Sequence, residues 1–118
     1  MVTLYGIRNC DTVRKARRWL EEHGVDYRFH DLRRDGLDAG LLDAWVGDLG
    51  WEKLVNRRGT TWRELPTEER ESLDAARARQ LIRKHPALIK RPLLEIGDAR
   101  HVGFSDAQYS RLFPQPRR

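Results

Sequence analysis

The sequence predicts an α/β fold built on a mixed four-stranded sheet, with a helical subregion inserted at about residues 36–72. Two sequence patterns supply the sheet. The first 30 residues alternate strand, helix and strand, and a hairpin pattern lies between Leu93 and Phe104. Between them the apolar residues fall into short helical groupings with no strand period. A chain of 118 residues is close to the size of one domain and buries one core, so a single domain over 1–118 is expected.

Val2 to Tyr5 is short, apolar and partly β-branched, and Gly6 closes it as a strand running into a loop. From Asp11 to His23 the period changes. Val13, Ala16, Trp19 and Leu20 recur at helical spacing, charged residues take the other faces, and Gly24 offers a stop. Val25 to His30 reads as the second strand, and a crossover of this kind places the two strands parallel.

Leu37 to Val46 and Trp51 to Leu54 read as helical, Asn56 to Thr61 as a turn, and Pro66-Thr67 as the start of another helix. Leu73 to Lys84 follows as a helix with Leu73, Ala76, Leu81 and Ile82 inward. It ends at His85-Pro86 because proline disfavours helical geometry in the residue before it. Leu93 to Ile96 and Arg100 to Phe104 form two strands about a Gly97-Asp98 turn, and Ser105 caps a last helix through Leu112. The tail, Pro114 to Arg118, reads as frayed.

Apolar residues are dispersed rather than gathered into a membrane-length run, and the opening residues lack a basic leader, so no membrane span and a cytoplasmic location are expected. The single cysteine excludes an internal disulfide and a dithiol cycle within the chain, so any resolving thiol comes from outside. A net charge of +5 is carried mainly by arginine, the residue best suited to holding oxyanions in a fixed geometry. Acidic residues interleave with the basic ones, which gives little reason to expect a nucleic-acid surface. Four scattered histidines show no paired-ligand spacing, so no metal is expected, and no Gly-x-Ser-x-Gly element marks a hydrolase.

Cys10 lies four residues after the strand-ending glycine and one before the helix. Its sulfur is therefore expected near free helical N–H groups and the positive end of the dipole, which favour a thiolate or a bound oxyanion. Arg8 and Arg14 add favourable charge, while Asp11 acts in the opposite sense. A buried structural cysteine is the alternative. The second informative stretch is His85 to Pro92, where an Arg-Pro bond at a strand start is a candidate for cis geometry that would hold Arg91 rigidly. Alternatively, Pro92 merely begins the strand and Arg91 is solvated.

Taken together, the opening Thr3-Leu4-Tyr5-Gly6-Ile7-Arg8-Asn9-Cys10-Asp11-Thr12, the middle Asn56-Arg57-Arg58-Gly59-Thr60-Thr61-Trp62 and the segment His85 to Pro92 resemble the ArsC/Spx superfamily, closest to its YffB-like branch. The resemblance covers essentially the whole chain. It implies a thioredoxin-like (glutaredoxin-like) fold with a helical insertion, a nucleophilic thiolate at Cys10 and a cis bond before Pro92. It also implies anion-binding arginines at Arg58 and Arg91, with Arg57 as an alternative to Arg58, and it matches Arg14 to the arginine four residues after the cysteine in arsenate reductases coupled to glutaredoxin. Arg14, Arg58 and Arg91 would then clamp an oxyanion or carboxylate around one sulfur.

Departures from the family pattern bear on the reaction. Arsenate reductases of that type carry a histidine where Gly6 stands and an arginine where Gly103 stands, and the second cysteine of an Spx-type Cys-x-x-Cys switch is here Val13. The reaction implied is glutathione-dependent thiol–disulfide exchange, with Arg58 and Arg91 holding the two carboxylates of glutathione and the backbone beside Pro92 receiving its peptide part like a short added strand. Arsenate reduction coupled to glutathione and glutaredoxin is one alternative, and a non-enzymatic regulator docking on RNA polymerase is another. A monomer is expected.

Overall fold

In a computed structural model, residues 1–114 are described. Strand β1 (Val2–Gly6) leads into helix α1 (Asp11–Glu22) and strand β2 (Arg28–Asp31). Four helices follow: α2 (Ala39–Leu49), α3 (Trp51–Leu54), α4 (Thr60–Glu64) and α5 (Thr67–Glu71). Helix α6 (Ala75–Lys84), a 3-10 turn at Pro86–Leu88, strands β3 (Leu93–Ile96) and β4 (Ala99–Val102), and helix α7 (Asp106–Leu112) complete the chain.

The sheet has the order β2-β1-β3-β4, with β1 parallel to β2 and both other pairings antiparallel. Successive strand residues point to opposite faces, and the core divides accordingly. Leu4 and Leu94 face Ala16, Trp19 and Leu20 of α1 and Tyr109 of α7. Tyr5 and Leu93 face Trp45 of α2, Leu54 of α3, Leu81 and Ile82 of α6, and Leu88 and Ile89. The inserted helices thus share the covering of this second face with α6 and the segment after it.

Most elements lie where their patterns place them, including the buried stripe Val13, Ala16, Trp19 and Leu20 on α1. The differences are at boundaries. Strand β2 starts at Arg28, not Val25, because the N–H of Val25 donates to Leu20 O (2.9 Å) in closing the end of α1. Helix α4 starts at Thr60, inside the stretch read as a turn. Helix α6 starts after Leu73, because the Asp74 carboxylate accepts from Arg77 N–H as an N-cap; its buried residues are Ala78, Leu81 and Ile82, and Ala76 is exposed. Strand β4 stops at Val102, since Gly103 turns to φ +81° and donates its N–H to Pro92 O at 2.8 Å. The frayed tail expected at Pro114 to Arg118 lies, beyond Pro114, outside the described residues.

Gly6 is where β1 meets α1. A Cβ placed there would lie 2.8 Å from Cγ2 of Val13, which is fully buried and has no rotamer freedom to spare. We therefore expect Gly6→Ala to cost about 1–3 kcal/mol by overpacking, read as a fall in melting temperature. The Gly6→Ala/Val13→Ala double variant should be more stable than the sum of the single losses predicts.

A polar cluster ties the insertion to the sheet. Glu95 of β3 accepts from the Tyr5 hydroxyl (3.1 Å), from Trp45 Nε1 (3.0 Å) and from Arg100 Nε (2.8 Å). Burial, reinforced by the Glu95 charge, pushes the Tyr5 phenol from its usual 10.0 up to about 12. A raised value means the unfolded chain releases this proton first, so the contribution of Tyr5 is complete below pH 10 and is lost as pH rises towards 12. Alkaline melts of Tyr5→Phe should accordingly fall less steeply over that window than those of the parent.

Candidate active site

Three segments distant in sequence converge beside the start of α1. The loop from β1 to α1 is held by Ile7, which is buried, and by Arg8, whose Nε lies 3.8 Å from Asp31 Oδ2. Asp31 is itself fixed, accepting from the N–H groups of Arg33 and Arg34. Cys10 follows as the N-cap of α1, with extended backbone and its carbonyl accepting from Arg14 N–H at 3.0 Å. Its side chain makes no capping hydrogen bond and is only partly buried, so the sulfur is not consumed by the fold.

The second and third segments are stitched by one antiparallel pair, Val55 with Ile89. Asn56 N–H donates to Leu88 O and Lys90 N–H donates to Leu54 O, both at 2.7 Å, which brings the side chains of Asn56 and Lys90 to one place. Arg91 follows. Its Nη1 donates to Ala87 O (2.9 Å), and its Nε is buried without a partner among the described residues. The Arg91–Pro92 bond is cis, and the Pro92 carbonyl is engaged by Gly103.

These segments, with a fourth running from the end of β4 into α7, enclose a cavity of about 440 Å³. Its polar lining is Cys10, Thr12, Asn56, Lys90, Arg91 and Gln108; Val102, Gly103 and Phe104 supply the rest, and among the described residues no carboxylate lines it. A smaller cavity of about 280 Å³ adjoins it, sharing Asn56 and Lys90 and adding Glu52, Val55, Arg57 and Arg58.

The arginines named from the sequence are therefore distributed rather than gathered around the sulfur. Arg91 lines the Cys10 cavity. Arg14 does not, because its Nη1 pairs with Asp11 Oδ1 at 2.7 Å on the exposed side of α1. Arg57 and Arg58 line the adjoining cavity, and the Arg57 guanidinium lies 5.8 Å from the ring centroids of both Trp51 and Trp62. Pro92 contributes its carbonyl to the Gly103 contact and lines neither cavity.

Asn56 and Lys90 lie within the motifs singled out in the sequence, yet nothing in their spacing showed that they would meet. Gln108 and Phe104 gave no signal at all. Among the described residues no group of three His, Cys, Asp or Glu side chains could hold a metal ion, and no helix is long and apolar enough to cross a membrane.

A thioredoxin-like sheet, a cysteine at the N-cap of its first helix and an inserted helical layer define the class of this molecule. The chain belongs to the ArsC family, whose model matches residues 5–112. An arsenate reductase (ArsC) related protein from Brucella melitensis is similar at 52% identity with a TM-score of 0.81, covering 97% of this chain and 95% of that one. A solved YffB protein is 44% identical with a TM-score of 0.89, covering 94% and 97%. The global transcriptional regulator Spx of Listeria innocua is 29% identical over 98% of this chain and 88% of its own length.

Proposed function

We propose that the chain is a glutathione-dependent thiol–disulfide oxidoreductase with Cys10 as the attacking sulfur, acting in a glutathione-rich cytoplasm. The observation that carries this reading is the uncommitted Cys10 side chain at a helix N-cap, opening into a cavity lined by Lys90 and Arg91 and, among the described residues, by no carboxylate. Free amides of the first helical turn and these cations favour an anionic bound partner.

In the first step the Cys10 thiolate attacks the glutathione sulfur of a mixed disulfide. A Cys10–glutathione disulfide forms, the original S–S bond breaks, and the other thiol leaves as a thiolate that takes a proton from water. In the second step a glutathione thiolate attacks the glutathione sulfur bound to Cys10. Glutathione disulfide departs and the Cys10 thiolate returns, so one glutathione thiol is consumed, and one glutathione disulfide released, for each mixed disulfide reduced. In this reading Arg91, which lines the Cys10 cavity, and Arg58, which lines the adjoining one, receive the carboxylates; Arg57 lies by its two tryptophans and Arg14 pairs with Asp11.

Incubation with oxidised glutathione should give a single adduct on Cys10 by mass, removed by reduced glutathione. Absence of the adduct would overturn the proposal. Relatives that are Spx regulators favour a second reading, docking on RNA polymerase without thiol chemistry. Polymerase capture that is indifferent to Cys10→Ser, by a protein that forms no glutathione adduct, would establish it instead.

A further inference from the structure

We propose that Lys90 selects the disulfide partner, its ammonium group recognising a carboxylate carried close to the sulfur that Cys10 attacks. This rests on the glutathione reading and adds to it a residue that decides substrate class: acidic low-molecular-weight disulfides over neutral ones. Lys90 is the only cation among the described residues that lines both cavities, so a ligand whose sulfur reaches Cys10 and whose body extends towards Arg58 passes it.

Its backbone position is fixed by the hydrogen bond to Leu54 O. Its side chain lies over Gly103, where an added Cβ would be 3.8 Å from Lys90 Cε. Gly103 adopts φ +81°, a conformation that other residues rarely take, so residue 103 brings no side chain and the charge on that side of the cavity comes from Lys90. Of the neighbouring cations, Arg57 lies by Trp51 and Trp62, Arg14 pairs with Asp11, Arg91 donates from Nη1 to Ala87 O and lines only the Cys10 cavity, and Arg58 lines only the adjoining one, while Lys90 has no carboxylate in ion-pair range among the described residues.

The test compares rates of mixed-disulfide formation at Cys10 with oxidised glutathione and with neutral bis(2-hydroxyethyl) disulfide, in the parent, Lys90→Gln and Lys90→Arg. In Lys90→Gln the glutathione rate should fall about three- to ten-fold relative to the neutral one, the range expected for a charge-assisted contact at a partly solvated site. Lys90→Arg should keep the preference, and the neutral rate should hold within about two-fold throughout. An unchanged preference in Lys90→Gln overturns the assignment. A parallel fall in both rates also overturns it, since Lys90 would then act on the sulfur and not on the partner. A parent protein that reacts only with the neutral disulfide refutes the glutathione reading itself, and one that reacts with neither refutes Cys10 as the attacking group.

Discussion

Replacing Cys10 with serine is expected to abolish disulfide exchange, by on the order of a thousand-fold or more, while leaving the protein folded and no less stable. The loss follows from chemistry: the attacking species is a thiolate, a serine hydroxyl does not ionise near neutral pH, and the chain has no second cysteine to take over. Retention of the fold follows from position. Cys10 is an N-cap whose side chain satisfies none of the free amides of α1, and serine is among the residues that do so best, so the variant should gain up to about 1 kcal/mol. Mass analysis after incubation with oxidised glutathione, together with thermal melts, tests both halves. Residual exchange in the serine variant would mean that the reaction does not pass through this sulfur.

The largest effect on stability is expected at Glu95. Glu95→Ala strips the acceptor from Trp45 Nε1, from the Tyr5 hydroxyl and from Arg100 Nε at once, and Trp45 is fully buried with no access to water. Orphaned donors and a guanidinium left with Asp48 alone, 3.6 Å from its Nη1, should together cost about 3 kcal/mol, or a drop of about 10–15 °C in melting temperature. Glu95→Gln keeps an acceptor oxygen and should fall between the two.

Protonation gives an independent check on the same cluster. Burial alone would raise the Glu95 carboxyl, but the hydrogen bonds from Trp45, Arg100 and Tyr5, with the charge of Arg100, outweigh it and hold the group below the ordinary glutamate value of 4.5. A lowered value means that the unfolded chain binds this proton first, so the contribution of Glu95 is present above the ordinary value and is lost as pH falls through the folded one. Melts taken from neutral pH to pH 3 should therefore show a shallower acid limb in Glu95→Gln than in the parent.

The strength of individual sequence signals decided what could be read in advance. Helix α1 was plain because four apolar residues recur at helical spacing over three turns, and β1 and β3 because their apolar residues are contiguous and bounded. Boundaries that depend on one hydrogen bond, such as Val25 N–H to Leu20 O, leave no trace in a pattern of side chains. The site divided in the same way. Cys10 could be singled out because a strand, a loop and a helix start lie in consecutive residues. By contrast, Asn56 and Lys90 are joined only through the Val55–Ile89 pair, which is too short to produce a period. The distribution of Arg14 and Arg57 turned on side-chain partners, Asp11 for one and two indole rings for the other, that residue type alone does not assign.

Strand β1 lies between β2, which follows it closely in the chain, and β3, which belongs to the far end. During synthesis on the ribosome the first three elements can therefore assemble early, but one edge of β1 waits for nearly the whole polypeptide, a high contact order that slows folding. The cavity beside the sulfur shares that delay, because Lys90, Arg91 and Gly103 emerge late. A nascent or truncated chain thus presents its thiol before the cations that line the cavity, and the enclosed site exists only in the finished polypeptide.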